Sequence, residues 1–322
     1  MPEIVHTRDG AFIVRDFLAT SGAKDRKQIV KVFKPHVMKM AEDADAQTVL
    51  FTMFDVIDDT KLVGKSILGE LDLPTLFLSK LGRRVPLYLL TPRSKRHFIP
   101  STIALLSYHD AARALTSKKD AAVRSAELRK AVSPGLLDVI REDLEGTLVR
   151  DAGATLLVGE VLLYADVSSE EEKDNTKESV IPTLLAPLLR KYTRTHTLDP
   201  DPTNPSVHTI DLSYAARLYK LLLQGGHHNF TTKSIDAVPG AEVFALAFAE
   251  AFWRETKAAG TLVDMACGGG AFVVVECVER LKVGESKLLS EVRTVFGVAE
   301  RKRVESSDAK GAKVLVEKVE SL

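Results

Sequence analysis

A phrase of small and apolar residues that recurs every 36 positions is the feature that most restricts how this chain folds. Asp9–Val14 begins one apolar run, Asp45–Leu50 begins the next, and Leu81–Leu90 begins a third. An amphipathic segment precedes each of the last two, at 25–41 and 60–78. One period therefore predicts helix, short turn and helix, and units of this size are stable only when neighbours stack. The sequence predicts an all-α solenoid.

Small residues mark the corners of these units. Gly10, Ala46 and Gly82 each stand where the second helix of a unit begins, and a small side chain lets that helix start close to the first. Similar corners followed by apolar runs return less regularly, at 151–158, 213–218, 269–275 and 310–316. The Val-rich run at 273–275 leaves a strand open as the alternative to a helix.

Composition excludes several classes of protein. Apolar residues make up 45% of the 322 residues, enough for a core, which excludes a disordered chain. Cys267 and Cys277 are too few for a disulfide framework or a zinc cluster, so we expect a reducing compartment. The longest apolar stretch, Val238–Phe252, is too short and too interrupted to cross a bilayer and predicts a buried helix. We expect Trp253, on that helix, to be a core residue, and we expect a soluble intracellular protein that does not enter membranes.

Three segments interrupt the pattern. Residues 164–180 are acidic and polar and predict an exposed loop, and the proline-rich residues 194–208 predict a second connection. Residues 91–120 form a third, basic, irregular zone. We therefore divide the chain into helical repeats at 1–98, a basic irregular junction at 99–135 and divergent repeats at 136–322.

The neutral net charge of the chain hides a strong asymmetry. Residues 1–130 hold 22 basic and 15 acidic side chains, whereas residues 131–322 hold 22 basic and 29 acidic ones. Within 80–130 there are 12 basic residues and only three acidic ones. Such a distribution attracts polyanions to one part of a molecule, although a charged helix face also serves solubility alone.

The register of the repeats favours nucleic acid as the polyanion. In two-helix repeats that read RNA, side chains at the start of the second helix face the bases on one concave surface. Nine residues occupy that place: Ala11, Phe12, Arg15, Gln47, Thr48, Phe51, Arg83, Arg84 and Leu87. Phe12 and Arg84 are suited to stacking on bases, and Arg83 to contacting phosphate.

Many basic residues and few base readers favour binding of the phosphate backbone over reading of sequence. The predicted nucleic-acid-binding residues are Phe12, Arg15, Lys24, Arg26, Lys27, Lys31, Lys34, Arg83, Arg84, Arg93, Lys95, Arg96, Lys118 and Lys119.

Several strings are similar to those of Pumilio-like repeat proteins of the Puf-A type. They are Asp-Gly-Ala-Phe at 9–12, Lys-Asp-Arg-Lys-Gln-Ile at 24–29, Lys-Pro-His-Val at 34–37, the segment 54–62 and the segment 87–94. Residues 116–120 and 133–137 resemble the opening of the C-terminal conserved region of these proteins, the CPL domain. The resemblance is specific over 6–145 and more diffuse to residue 322.

The resemblance implies a right-handed, bent Pumilio- or armadillo-like array that binds RNA, and also DNA, with little sequence preference. It implies a nuclear, nucleolar protein of large ribosomal subunit biogenesis and pre-rRNA processing. The implied partners are pre-rRNA, mRNA under translational repression, double-stranded DNA, and pre-60S assembly factors or ribosomal proteins.

The chain departs from this family in two ways. Family members carry further repeats ahead of this point, so the chain resembles a C-terminal portion. The base-reading triplet of Pumilio repeats, an Asn, Ser or Cys with a Gln or Glu around a stacking residue, is missing. This triplet is matched by none of the corresponding pairs, which are Ala11/Arg15, Gln47/Phe51 and Arg83/Leu87.

Two other functions compete with this interpretation. An armadillo- or HEAT-like protein scaffold would turn the same basic residues towards acidic peptides. Residues 262–270, with Gly268, Gly269 and Gly270, imitate the strand and glycine turn of S-adenosylmethionine-dependent methyltransferases, although about fifty residues are too few to complete that fold afterwards. We find no catalytic constellation, no metal site and no cofactor or small-molecule site, and we expect a protein that is not an enzyme.

Overall fold

The computed structural model describes residues 2–167, 176–194, 197 and 200–322. The chain forms two compact units. Unit 1 holds Met1–Val139 with a short stretch from Ala165, and unit 2 holds Ile140–Tyr164 and the remainder of the chain.

Ten α-helices begin among the described residues of unit 1, and the last of them ends in unit 2. They are α1 (Arg8–Thr20), α2 (Ala23–Phe33), α3 (Val37–Ala41), α4 (Ala46–Val56), α5 (Thr60–Ser66), α6 (Leu73–Leu78), α7 (Arg84–Leu90), α8 (Pro100–Ser107), α9 (Asp110–Thr116) and α10 (Ala121–Glu142).

The predicted repeat is confirmed in unit 1. Helices α1, α4 and α7 begin at the three predicted corners, and α1 packs on α4, which packs on α7. The preceding amphipathic segments are each a broken pair of helices. The break between α2 and α3 is a 3-10 turn at Lys34–His36, because Pro35 has no N–H to continue the α-helical hydrogen bonds.

The corner glycines are required by close packing, as predicted. A β-carbon on Gly10 would lie 2.0 Å from the carbonyl oxygen of Ile4. A β-carbon on Gly82 would lie 2.6 Å from a methyl group of Leu76. Thr7 begins α1, since its hydroxyl accepts a hydrogen bond from the N–H of Gly10 over 3.2 Å.

The predicted irregularity of residues 99–135 is wrong, because α8, α9 and most of α10 occupy this segment. Its basic composition does not mark a loop, since several of its arginines turn inward. Arg124 is 2% exposed and donates to Asp58 over 2.9 Å. Leu106 within this segment and Phe98 just before it are also buried.

Unit 2 is also helical, with one small hairpin among its described residues. Its elements are α11 (Ala152–Tyr164), α12 (Ile181–Leu185), α13 (Ser213–Gln224), β1 (Gly226–Asn229), β2 (Ser234–Ala237), α14 (Ala241–Ala258), α15 (Leu262–Ala266), α16 (Ala271–Val283), α17 (Leu289–Val295), α18 (Val298–Glu305) and α19 (Ala312–Glu320). The strands are antiparallel, with Gly226 opposite Ala237.

The later small-residue corners followed by apolar runs, at 151–158, 213–218, 269–275 and 310–316, are confirmed as helix starts. They coincide with α11, α13, α16 and α19, so the Val-rich run at 273–275 is helical. Trp253 is fully buried on α14, and the rings of Tyr219 and Phe248 stack with centroids 6.3 Å apart. The chain is an all-α helical-repeat protein, as the sequence predicts.

The two predicted loops of unit 2 are described only in part. Residues 168–175 of the acidic loop and residues 195, 196, 198 and 199 of the proline-rich connection lie outside the described residues. The described part of the second connection is held by Arg150, which donates to the carbonyl oxygens of Pro202 over 2.9 Å and Asn204 over 2.8 Å. Among the described helices, none combines the length and the apolar character that a membrane crossing needs.

Candidate nucleic-acid interface

The predicted base-reading face is largely buried. On α4 all three of its residues are interior: Gln47 is 1% exposed, Thr48 8% and Phe51 1%. The Gln47 amide donates to the carbonyl oxygens of Ala41 over 2.6 Å and Leu81 over 2.8 Å. This part of the prediction is therefore wrong, because these side chains join neighbouring repeats.

The chain's own segment around α8 covers this part of α4. The ring of Phe51 stacks on Tyr88 with centroids 4.2 Å apart and meets Phe98 edge-on at 5.6 Å. Helix α8 packs directly on α4. On α7, Leu87 is likewise buried, whereas Arg84 is exposed.

Arg15 is a structural residue and not a surface contact. It is 3% exposed, and its Nη1 donates to the hydroxyl of Thr48 over 2.5 Å, so α1 is tied to α4. Burial lowers the pKa of Arg15 to about 10, although the charge of Asp45 opposes this shift.

Arg26 is a second interior arginine. It is 2% exposed, and its guanidinium donates to the carbonyl oxygens of Leu18, Ala19 and Val56 at 2.7 to 3.2 Å. Burial lowers its pKa as well. The predicted surface roles of Arg15 and Arg26 are corrected, because neither guanidinium reaches a polyanion from this position.

Arg93 is the centre of an ion-pair network. It bonds to Asp55 and Asp110, the latter over 2.7 Å, and its Nε donates to the Tyr88 hydroxyl over 3.3 Å. Burial alone would lower the pKa of Arg93, but the hydrogen bond to Asp110 and the charge of Asp55 raise it above its usual value. Its backbone has φ 56°, a strained value for a side chain that is not glycine. Its predicted surface role is therefore also corrected.

The remaining predicted residues reach solvent to different degrees. Lys34 is paired with Glu70 at 3.3 Å, and Lys119 with Glu127 at 2.6 Å. Arg83 is half-buried and donates to the carbonyl oxygens of Ser79 and Leu78. The exposed members of the predicted set are Phe12, Lys24, Lys27, Lys31, Arg84, Lys95, Arg96 and Lys118.

Two sets of exposed lysines on contacting helices stand out, and together we call them the lysine surface. It consists of Lys24, Lys27 and Lys31 of α2 with Lys61 and Lys65 of α5. The α2 lysines follow i, i+3, i+7 spacing and the α5 lysines i, i+4 spacing, so each set lies on one helix face. Helices α2 and α5 contact each other.

The sequence prediction missed the α5 half of this surface. The signal was present, because Lys61 and Lys65 stand one helical turn apart in an amphipathic segment. An open cleft beside Lys61 is lined by residues of α5, by Glu127 and Lys130 of α10, and by Lys119 just before α10.

The methyltransferase alternative is inconsistent with unit 2. Leu262–Ala266 is a helix and not a strand. A β-carbon on Gly268 would lie 1.8 Å from the hydroxyl of Tyr192, and one on Gly269 would lie 2.5 Å from Asp211. These glycines therefore serve close packing, and the space that a cofactor would need is filled by side chains.

Comparison with known proteins agrees with this architecture. Residues 78–234 match the CPL (NUC119) domain. Pumilio homology domain family member 6 of Schizosaccharomyces pombe is 29% identical over 322 residues, which is 98% of this chain and 45% of that protein. The crystal structure of human Puf-A matches with a TM-score of 0.73 at 28% identity, over 98% of this chain and 55% of that one. The crystal structure of human Puf-A in complex with DNA matches with a TM-score of 0.68.

Stacked helix pairs with a lysine-rich helix face define the chain as a helical-repeat protein with a basic surface in unit 1. The chain carries the match to the CPL domain and is similar over 98% of its length to a Pumilio-homology protein and to human Puf-A. It spans about half the length of these relatives.

Proposed function

We propose that this chain binds RNA, and also DNA, through the phosphate backbone and with little preference for sequence. The observation that carries the proposal is the contrast within unit 1. The lysine surface is exposed on contacting helices, whereas Gln47, Thr48 and Phe51 of the reading face are buried. The solved complex of human Puf-A with DNA supports nucleic acid as the partner class.

Lysine ammonium groups suit this role. They are flexible point charges that neutralise phosphates without reading base edges. Each phosphate neutralised releases condensed counterions, so affinity falls steeply as salt rises. Surface lysines spaced along two helices therefore predict binding that depends on charge density and not on base sequence.

The finer assignment rests on kinship with Pumilio-homology proteins. We propose a non-enzymatic role in large ribosomal subunit biogenesis and pre-rRNA processing, in the nucleus and nucleolus. Pre-60S assembly factors or ribosomal proteins are the proposed protein partners, and repression of an mRNA is a secondary proposed role. Crosslinking of the protein to RNA in cells, followed by sequencing of the bound RNA, tests this assignment. If the crosslinked RNA contains no pre-rRNA, the assignment is contradicted.

A gel-shift series tests the binding itself. The probes are several unrelated oligonucleotides, single- and double-stranded, each at two salt concentrations. The variant replaces Lys27, Lys31, Lys61 and Lys65 by Gln. The matched control replaces four exposed lysines of unit 2 by Gln: Lys282, Lys302, Lys310 and Lys313.

We expect the unit 1 variant to weaken binding to all probes alike. The slope of log affinity against log salt should become shallower by about 0.7 to 0.9 for each phosphate that the variant no longer neutralises. The unit 2 control should retain the wild-type slope. An unchanged slope in the unit 1 variant would contradict the site. Wild-type binding of acidic peptides but of no oligonucleotide would contradict the function and favour a protein scaffold.

A further inference from the structure

Two exposed aromatic rings of unit 1, far apart in sequence, lie side by side in the structure. Phe12 projects from α1, and Tyr108 directly follows α8. Their ring centroids are 5.5 Å apart with planes tilted by 55°. We propose that these two rings form a stacking platform for an unpaired nucleobase, an inference that rests on the proposed nucleic-acid binding.

The exposure of the rings supports a ligand. Tyr108 is 69% exposed and Phe12 is 40% exposed, so each ring presents apolar surface to water next to the other. Side by side, the two rings form a paired aromatic surface, which water solvates poorly. The reading-face residues Gln47, Thr48 and Phe51 of α4 are buried, whereas these two rings are open to a base.

Buried neighbouring side chains hold the two rings of the platform in place. The ring of His109 lies edge-on to Tyr108 at 5.0 Å and tilted to Phe12 at 5.6 Å, and it is 4% exposed. The guanidinium carbon of Arg15 lies 5.9 Å from the centroid of Phe12. Helix α9 is fixed to α1, since the Thr116 hydroxyl donates to the Ala19 carbonyl oxygen over 2.6 Å. A surface already ordered in this way loses little side-chain entropy when a ring stacks on it.

The surrounding charges favour a base attached to a phosphate backbone. Arg8 is exposed one turn before Phe12 on the same face of α1, where it is placed to contact a phosphate. Asp16 lies one turn after Phe12, with its carboxylate 3.7 Å from His109 Nδ1. A carboxylate there disfavours phosphate directly over the rings, so the group that stacks is the neutral base.

Pairing state decides which nucleic acids use this platform. In a duplex each base already stacks on its neighbours inside the helix, whereas an unpaired base has a free face. Base–aromatic stacking changes affinity by roughly 5- to 150-fold per base and tolerates all four bases. The platform therefore adds preference for unpaired strands without adding preference for sequence.

Binding of fluorescein-labelled oligouridine and of a short RNA duplex tests the inference with Tyr108→Ala and Phe12→Ala. We expect Tyr108→Ala to weaken oligouridine binding at least about 5-fold and to leave duplex binding unchanged. Tyr108→Phe, which keeps the aromatic ring, should bind oligouridine as tightly as wild type. Leu115→Ala, which trims another exposed apolar side chain on α9, is the matched control and should bind both probes as wild type.

A spectroscopic signature separates stacking from a general loss of affinity. The fluorescence of 2-aminopurine within the single strand should be quenched on wild-type protein, and Tyr108→Ala should relieve the quenching at saturation. Equal losses for both probes, or unchanged quenching, would overturn the platform. If wild-type protein binds neither probe, the proposed function fails as well. If it binds oligouridine and Tyr108→Ala binds equally well, only the platform fails.

Discussion

The Nη1 atom of Arg26 lies 2.7 Å from the carbonyl oxygen of Val56, so the first turn of α2 is joined to the end of α4. The same guanidinium also caps the carbonyl oxygens of Leu18 and Ala19 near the end of α1. Carbonyl groups at helix ends lack partners within their own helix and must find them elsewhere. The buried guanidinium of Arg26 thus supplies hydrogen-bond donors to carbonyl groups at the C-terminal ends of both α1 and α4.

Replacing Arg26 by Leu should lower the free energy of unfolding by about 3 kcal/mol, because buried carbonyl oxygens lose their donors. Urea denaturation followed by circular dichroism measures this loss. Lys27→Leu, at the exposed neighbouring position, is the control and should change stability by less than about 0.5 kcal/mol. Below its unfolding transition Arg26→Leu should bind nucleic acid as wild type does. If the Arg26→Leu protein is stably folded but binds nucleic acid more weakly than wild type, the predicted role of Arg26 in nucleic-acid binding would be supported after all.

The sequence predicts the helical repeat well because its signals are local. The apolar periodicity and the small residue at each corner are properties of neighbouring residues, and Gly10 and Gly82 stand where the packing demands them. The basic excess of residues 1–130 predicts unit 1 as the nucleic-acid-binding unit, and the lysine surface lies within 24–65 of that unit.

The site is predicted less well because burial of polar groups depends on distant partners. Nothing near Arg93 in sequence shows that Asp55, 38 residues earlier, neutralises it. Gln47 likewise resembles a base reader in the sequence, but in the fold its amide lies 2.8 Å from the carbonyl oxygen of Leu81, in the turn before α7. Arginine is the cation most often used for such planar, multidentate contacts, so a lysine is the safer sequence marker of a solvated surface here.

Gly10→Ala should destabilise unit 1 by about 1 to 3 kcal/mol, because the added methyl group overlaps the Ile4 carbonyl group. Gly64→Ala is a matched control, because Gly64 lies within α5 with open space around its α-carbon and no positive φ. That control should be neutral or stabilising by up to about 1 kcal/mol. Thermal unfolding of both variants decides the matter, and equal melting temperatures would contradict the close approach.

Asp58 should make stability depend on pH. Burial tends to raise the pKa of Asp58, but hydrogen bonds from the Lys118 backbone and from Arg124 outweigh it and hold the pKa below its usual value. A carboxyl group with a lower pKa in the folded state stabilises the fold above its unfolded-state pKa. That contribution is lost as the pH falls through the folded-state pKa, from about pH 5 downwards.

Asp58→Asn should therefore lower stability at neutral pH and flatten its dependence on acid pH. Urea unfolding at a series of pH values measures both effects. Asp25→Asn, at an exposed position on α2, serves as the control. Parallel pH profiles for wild type and Asp58→Asn would contradict the role of this ion pair.

The two cysteines should differ in reactivity. Cys277 is fully buried on α16 and burial raises the pKa of its thiol, whereas Cys267 is only partly buried. Because the thiolate is the reactive form, Cys277 should be modified by a thiol reagent only when unit 2 opens. Mass spectrometry after timed labelling should show Cys267 modified first. Labelling of both at the same rate in the folded protein would contradict the packing of α16.

Two phenylalanines that the sequence places on the base-reading face of successive repeats should behave in opposite ways. Phe51 is 1% exposed and stacks on Tyr88, so Phe51→Ala should cost about 3 to 5 kcal/mol of stability. The folded fraction of that variant should bind oligouridine as wild type does. Phe12 is 40% exposed, so Phe12→Ala should change stability by about 1 kcal/mol or less and yet weaken oligouridine binding. Denaturation and binding measured on the same preparations separate these effects, and a binding loss shared by both variants would show that α4 still takes part in recognition.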